Sequence, residues 1–338
     1  MRKPSRFGEL LRSFSDLLTD SDRDYDSDDE PRIPKELRPL VGATLRHVSV
    51  PGDTRECWQE PDATSFLIRG PAYLRDKVKI NSQPAVYAAV AADAFTSPMR
   101  LDHIMRRLRL PPPSSIGGPA RAPPGTPSAG ILPRFFVVSI QVPSYEPRLF
   151  GGLGNGPGLS IVLVHELVGH GERIAPQARG LIERFFRNES EASGEATRER
   201  LKYIPRIANL EQVASDAGLS RTEKAFMGTY DGKPVMTRPQ HRFYRGPNYL
   251  EVDVDAHGYT FIARKGVHSY RHLLDAMVFD SGFVLQGGRE EELPEQVLAC
   301  TRVYNLDFSK ARPAPGNRST PPTSPGRTAA PDEAPATG

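Results

Sequence analysis

The sequence predicts an α+β domain: a mostly antiparallel sheet packed against helices. Three observations carry this expectation. Short apolar stretches rich in β-branched and aromatic residues dominate the recognisable elements. They do not alternate regularly with helices, as the strands of a parallel α/β sheet would. Proline and glycine, 33 and 29 of 338 residues, gather at the chain ends and in one internal stretch, so the folded part is shorter than the chain.

Taken in order, residues 1–19 place Phe7, Leu10, Leu11, Phe14, Leu17 and Leu18 at helical spacing beside Arg2, Lys3, Arg6 and Arg12. This predicts an amphipathic helix suited to a peripheral membrane or protein contact. Residues 20–41 begin with the acidic run DSDRDYDSDDE and are expected to be a disordered linker. The folded domain is expected over 42–308, with a Pro/Gly-rich surface loop at 111–130. Within it SFLIRG (65–70), RFFVVSIQV (134–142), LSIVLV (159–164) and the pair HRFYRG and YLEVDVD (241–255) read as strands. The last alternates Leu250, Val252 and Val254 with Glu251, Asp253 and Asp255, the pattern of a half-buried strand. Helices are expected over 84–95, 176–187, 211–218 and 267–280. From 309 onward the Pro/Ser/Thr/Gly-rich tail is expected to be disordered.

Composition narrows function. The 44 Lys and Arg against 41 Asp and Glu leave a net charge of +3, too mild to argue for nucleic acid. The cysteines, Cys57 and Cys300, and the lack of a cleavable secretory signal fit a reducing, cytoplasmic setting. No apolar run approaches the ~20 residues of a bilayer crossing, so membrane contact is expected to be peripheral.

One motif invites an enzymatic reading. HELVGH (165–170) resembles the HELLGH motif of dipeptidyl-peptidase III-type zinc peptidases. That resemblance implies His165 and His170 as zinc ligands and Glu166 as general base. A third protein ligand is required, and the acid-rich helix that supplies it in that family has no counterpart here. On an ordinary helix five residues turn about 500°, leaving the histidines about 140° apart. LSIVLV also runs straight into His165, which places it at a strand end, with Gly169 and Gly171 in the following turn.

RGPAYL (69–74) and RGPNYL (245–250) are near-repeats that join a strand to a turn through Gly-Pro. Arg69, Arg245 and Tyr249 are candidate ligand contacts; the alternative for the arginines is an ion pair with Asp62, Asp253 or Asp255. Asp253 and Asp255, two apart on a strand, share one face and are suited to acid/base work, a hard metal ion or solvent. No nucleophile elbow, P-loop or CxxC accompanies them, and no cofactor is expected.

The segments CWQEPDATSFLIRGPAYLRDKVKI (57–80), LDHI (101–104), RFFVVSIQVPS (134–144), LKYIPRIANL (201–210), HRFYRGPNYLEVDVDAHG (241–258) and ELPEQVLACTRV (292–303) are, in this order, similar to the C-terminal domain of the plant enhanced disease resistance two proteins. The resemblance covers about 55–307. It rests on Trp58, Glu60, Pro61 and Asp62, on the block from Phe243 through Asp255, and on the late E-L-P-E. The chain departs from the pattern in the more polar 264–287 stretch and in HELVGHG itself. The resemblance implies no established enzymatic chemistry. The pleckstrin-homology and START modules of the multidomain plant members have no room here beside the domain, so phosphoinositide binding does not carry over. The expectation is a noncatalytic, regulatory domain that binds a lipid, another apolar ligand or a protein partner. Its more specific form is a START-like helix-grip, with helix 267–280 closing an apolar cavity. The alternative is the zinc peptidase.

Overall fold

The computed structural model describes residues 33–49, 55–114, 130–148, 155–238 and 241–316. The helix expected over 1–19, the acidic run at 20–30, most of the 111–130 loop and the tail beyond 316 lie outside them. The elements are β1 (Arg46–His47), β2 (Cys57–Gln59), β3 (Leu67–Arg69), α1 (Tyr73–Asp76), β4 (Lys79–Asn81), β5 (Tyr87–Ser97), β6 (Phe135–Pro143), β7 (Gly158–Leu167), α2 (Pro176–Arg187), β8 (Leu201–Ile207), α3 (Leu210–Asp216), α4 (Arg221–Tyr230), β9 (Val235–Met236), β10 (His241–Arg245), β11 (Tyr249–Asp255), α5 (Phe261–Tyr270), β12 (Val278–Leu285), β13 (Val297–Tyr304) and β14 (Arg312–Pro313).

The strands form two six-stranded sheets and a small hairpin. The first sheet runs β1-β2-β13-β12-β8-β9, the second β10-β11-β6-β7-β5-β14, and β3 pairs with β4 alone. Antiparallel pairing prevails; β1–β2, β11–β6 and β14–β5 are parallel. The α+β class with mostly antiparallel pairing and packed helices is as the sequence predicts; the single sheet expected is two.

The two sheets share one core. Alternation on each strand sends Phe136, Val138, Leu163, Val252 and Val254 inward from the second sheet, to meet Leu201, Tyr203, Phe283 and Leu285 from the first. Helix α2 enters the same layer with Leu181, Ile182, Phe185 and Phe186. Its first residue is Pro176, pre-set for a helix start, and it ends at Asn188 in the left-handed region. Rings fill the interlayer: Phe136 lies edge-on to Phe185, Phe186 and Phe283 at 6.2–6.4 Å. Each fully buried ring of this kind contributes about 1.5–3 kcal/mol relative to exposure.

Both outer faces are covered in part. Residues 63–85, including the β3–β4 hairpin, cover the first sheet through Ala63, Phe66, Ile68 and Ala85. A strap at 99–114 covers the second sheet through Leu101, Ile104, Met105 and Leu108, and Val41 joins it.

Three expectations are corrected. Residues 84–95 are largely the central strand β5. Its alanines favour helix in isolation, but the strand is enclosed on both faces: Ala89, Ala92 and Ala94 lie in one cluster and Ala91 and Phe95 in the other. The helix expected over 267–280 is displaced. Thr260 caps α5, which runs Phe261–Tyr270 and is followed by one 3-10 turn. Val278 then starts β12, which pairs on both edges. The periodicity of Tyr270, Leu273, Leu274 and Met277 is real, but it serves a small satellite cluster with Val213 and Met227. The ordered chain also continues past 308: Arg312–Pro313 pair with Phe95–Thr96, and Ala314 is buried.

Candidate functional site

Strand β11 is buried on both faces, not half-buried as its alternation suggests: Glu251 and Asp253 are 0% and 1% exposed. Glu251, Asp253 and Asp255 share the outer face of the second sheet, and the strap lies over them. His103, held at a left-handed φ of 52°, donates its backbone N–H to Asp253 Oδ2 at 2.9 Å. The Met105 N–H reaches Glu251 Oε2 at 3.3 Å. Gln141 on β6 grips Leu101 through both its N–H (3.1 Å) and its carbonyl (2.5 Å). The His103 ring stacks on Tyr244 at 4.5 Å, and its Nε2 meets the Tyr249 hydroxyl at 2.8 Å and Glu251 at 3.7 Å. Asp255 receives Arg100 at 3.4 Å and the His257 N–H.

The carboxyl groups of Glu251 and Asp253 are close enough on this face to interact. Burial raises both above the ordinary carboxylate range, and the Glu251 charge raises Asp253 further. Among the described residues Glu251 Oε1 and Asp253 Oδ1 have no hydrogen-bond partner, and neither has the Ser139 hydroxyl on the paired position of β6.

The peptidase constellation is not assembled. His165 and Glu166 are successive strand residues and point to opposite faces. His165 faces the core between the sheets, where Phe136 O (3.1 Å) and the Thr301 hydroxyl (2.7 Å) engage its two ring nitrogens. Burial pushes its pKa down to about 4, so the ring is neutral. Glu166 faces outward and secures the strap: the Ser114 N–H (3.1 Å) and hydroxyl (2.5 Å) and Arg134 (2.7 Å) all donate to it. His170 lies in the turn beyond the strand, at φ 56°, flanked by Gly169 and Gly171 at positive φ. Among the described residues no group of three His, Cys, Asp or Glu side chains converges as metal ligands.

The two Gly-Pro repeats have different tasks. In the second, Gly246 lies under the Tyr249 ring, where a Cβ would come within 2.0 Å of it. Arg245 pairs with none of the expected aspartates; it donates to Phe186 O at 2.6 Å, at the carbonyl end of α2, where a cation is favoured. In the first repeat Arg69 likewise pairs elsewhere than Asp62. Its side chain donates to Gly287 O at 2.7 Å, approaches Glu295 at 3.6 Å and lies over the Tyr73 ring at 4.8 Å.

Arg69 borders a recess of about 130 Å³ on the outer face of the first sheet, shared with Tyr73, Lys79, Lys202, Met236 and Glu295. Lys202 is 4% exposed, with its Nζ 2.8 and 3.0 Å from the Glu295 oxygens. Burial, then Arg69 and Lys79, lower its pKa against the opposing pull of Glu295. The hairpin beside it exposes Leu67 and Val78, each 52% accessible.

The sequence singles out Arg69, Tyr249, Asp253 and Asp255 as candidates but not Glu251, His103, Lys202 or Glu295, which lie beside them. The signal for His103 and Glu295 lay in the LDHI and E-L-P-E segments. Glu292, the first acid of the latter, is equally buried and receives Arg200, Arg289 and the Gly288 N–H. These charges hold its carboxyl down to about 2 against the cost of burial. Lys202 lies in LKYIPRIANL, another of these segments, but a strand lysine ordinarily reads as solvated.

The family model described as "Protein ENHANCED DISEASE RESISTANCE 2, C-terminal" matches residues 58–307. "Protein ENHANCED DISEASE RESISTANCE 2-like" from Arabidopsis thaliana is 27% identical over 292 residues, covering 86% of this chain and 34% of that protein. The chain thus spans about a third of the length of this relative. No solved structure matches. Each candidate residue above falls within the matched span.

Proposed function

The chain belongs to the enhanced disease resistance 2 C-terminal family, and we propose that it is a noncatalytic domain that docks on an anionic lipid surface through the β3–β4 hairpin. The observation that carries this reading is the hairpin's composition. Residues 67–81 hold four cations, Arg69, Arg75, Lys77 and Lys79, against one carboxylate, Asp76. The exposed Leu67 and Val78 lie among them. Each cation near an anionic membrane contributes about 1 kcal/mol, and the two apolar side chains add what burial at an interface gives. No helix among the described residues is long and apolar enough to cross a membrane, so the contact is peripheral.

A START-like helix-grip with an enclosed apolar ligand has less support. Helix α5 buries none of its residues, and aromatic rings occupy the interlayer where such a ligand would lie. A zinc peptidase finds no support in the opposed directions of His165 and Glu166.

Hydrogen exchange on the purified chain, with and without phosphatidylserine vesicles, tests the reading. Added protection over residues 67–81 is expected. Sedimentation without protection there, or no sedimentation at all, would sink it.

A further inference from the structure

We propose that the recess between the β3–β4 hairpin and β8 is a binding site for a phosphate monoester, taken by Arg69, Lys79 and Lys202. The inference rests on the lipid-docking reading and names the chemical group that the docked surface presents.

The charge count comes first. Three cations line the recess against one carboxylate, Glu295, an excess of two positive charges. Glu295 has no capacity left to neutralise them. Its Oε1 accepts from Lys202 Nζ and the Gly287 N–H, and its Oε2 from Lys202 Nζ and the Arg69 N–H. Lys79 has no carboxylate partner among the described residues. A buried ammonium next to two further cations is an unfavourable arrangement unless something anionic joins them.

The free donors come second. An ammonium has three N–H groups and a guanidinium five. Lys202 uses two on Glu295, and the Arg69 side chain uses one on Gly287 O. One Lys202 donor, the Arg69 N–H groups turned neither to Gly287 nor to Glu295, and all of Lys79 remain for an incoming ligand. A planar fork beside two point charges suits a tetrahedral, doubly charged oxyanion.

Size comes third. A recess of about 130 Å³ is well below the ~300–1,000 Å³ of a pocket that encloses a drug-sized molecule. It admits one functional group and leaves the remainder of the ligand outside, beside the exposed Leu67 and Val78.

The group has two sources, a lipid headgroup such as that of phosphatidic acid or a free phosphate ester, and the experiment separates them. The full chain is titrated calorimetrically with glycerol 3-phosphate and with acetate. It is also sedimented with phosphatidic acid vesicles and with phosphatidylserine vesicles matched in surface charge. Lys79→Gln removes a recess cation; Lys77→Gln removes an equal charge from the same hairpin outside the recess. Unchanged melting temperatures certify both folds. We expect glycerol 3-phosphate but not acetate to bind, with Lys79→Gln weakening it about tenfold and Lys77→Gln less than twofold. Tighter sedimentation with phosphatidic acid than with phosphatidylserine identifies the lipid source. Binding of glycerol 3-phosphate with no such preference identifies the free ester. If neither glycerol 3-phosphate nor phosphatidic acid is preferred, or if the two variants are alike, the phosphate site is overturned. Equal sedimentation with both charge-matched vesicles would then leave the docking reading standing, whereas no sedimentation with either removes both.

Discussion

The outer faces of the two sheets make opposite uses of buried charge. On the second sheet two carboxyl groups, Glu251 and Asp253, lie fully buried under a strap, and burial raises both above the ordinary carboxylate range. On the first sheet Lys202 is buried beside Arg69 and Lys79, with Glu295 saturated, and the site opens to solvent. Like charges in a low dielectric must be relieved by a counter-charge, by loss of charge or by access to water. The closed site uses the second route. A carboxyl neutralises by taking a proton, and the strap's backbone N–H groups satisfy one oxygen of each group. The open site keeps its charges and a way in. The closed face is therefore architecture, and the open face is where a ligand can change the energy.

The largest effect expected from this contrast is at Glu295. Replacing it by alanine leaves Lys202 buried and without its partner, and frees the backbone N–H groups of Arg69 and Gly287. Removing one member of a buried ion pair costs about 3–5 kcal/mol. Denaturant titration of Glu295→Ala at neutral pH should show a loss of that order. A loss below about 1 kcal/mol would mean that Lys202 is well solvated, and the contrast between the faces would fail.

How much of this was legible in the sequence follows from which residues carry local signals. Strand β11 and helix α2 announce themselves by periodicity, and β6 and β7 by continuous apolar, β-branched and aromatic composition, because both faces of those two strands are covered. The β5 run AAVAADAFTS does not. Its alanines are chosen for close packing against a covering segment, as where a Cβ on Gly42 would come 3.3 Å from Ala91. That is a tertiary demand which no local propensity encodes. Asp93 on the same strand accepts from the Gly42 and Thr44 N–H groups, some fifty residues away, and looks in sequence like a solvated acid. The site was half legible for the same reason. Asp253 and Asp255 advertise a shared face, but only the strap decides that this face is closed. Arg69 was visible within a motif, whereas its companions Lys202 and Glu295 come from strand β8 and from the segment before β13, separated by 93 residues.

The next effect is smaller and opposite in sign. Glu251→Gln substitutes a neutral group that can still accept from Met105 and donate to Asp253. A carboxyl whose folded pKa is raised is titrated first in the unfolded chain. Its cost is therefore absent at low pH, grows as pH rises through the ordinary carboxylate range near 4, and levels off once the folded value is passed. The wild-type chain should lose stability from this source between mildly acidic and neutral pH, and Glu251→Gln should not. At pH 8 the variant is expected to be about 1–3 kcal/mol more stable than wild type, at about 1.4 kcal/mol for each pKa unit relieved, with the difference closing toward pH 4. Parallel pH profiles for the two proteins would show that the pair is not the titrating group. A gain in wild-type stability on adding a divalent cation, absent in the variant, would assign the orphaned oxygens to a metal instead.

The smallest expected effect is the sharpest discriminator. Lys79 is exposed and contributes repulsion, not partnership, to the buried Lys202. If the recess is built for a ligand, Lys79→Gln has no interaction to lose in the free protein and one unfavourable contact to relieve. Its unfolding free energy without added anion should lie within about 0.5 kcal/mol of wild type, as for surface changes away from special features. Any departure should be toward higher stability. With glycerol 3-phosphate present the order should reverse, because only wild type gains the full binding term that ligand linkage adds to the folded state. Chemical denaturation of both proteins, with and without the ester, reads both signs in one experiment. A loss above about 1 kcal/mol in the free variant would make Lys79 a structural cation. The open face would then be, like the closed one, a solved problem of packing.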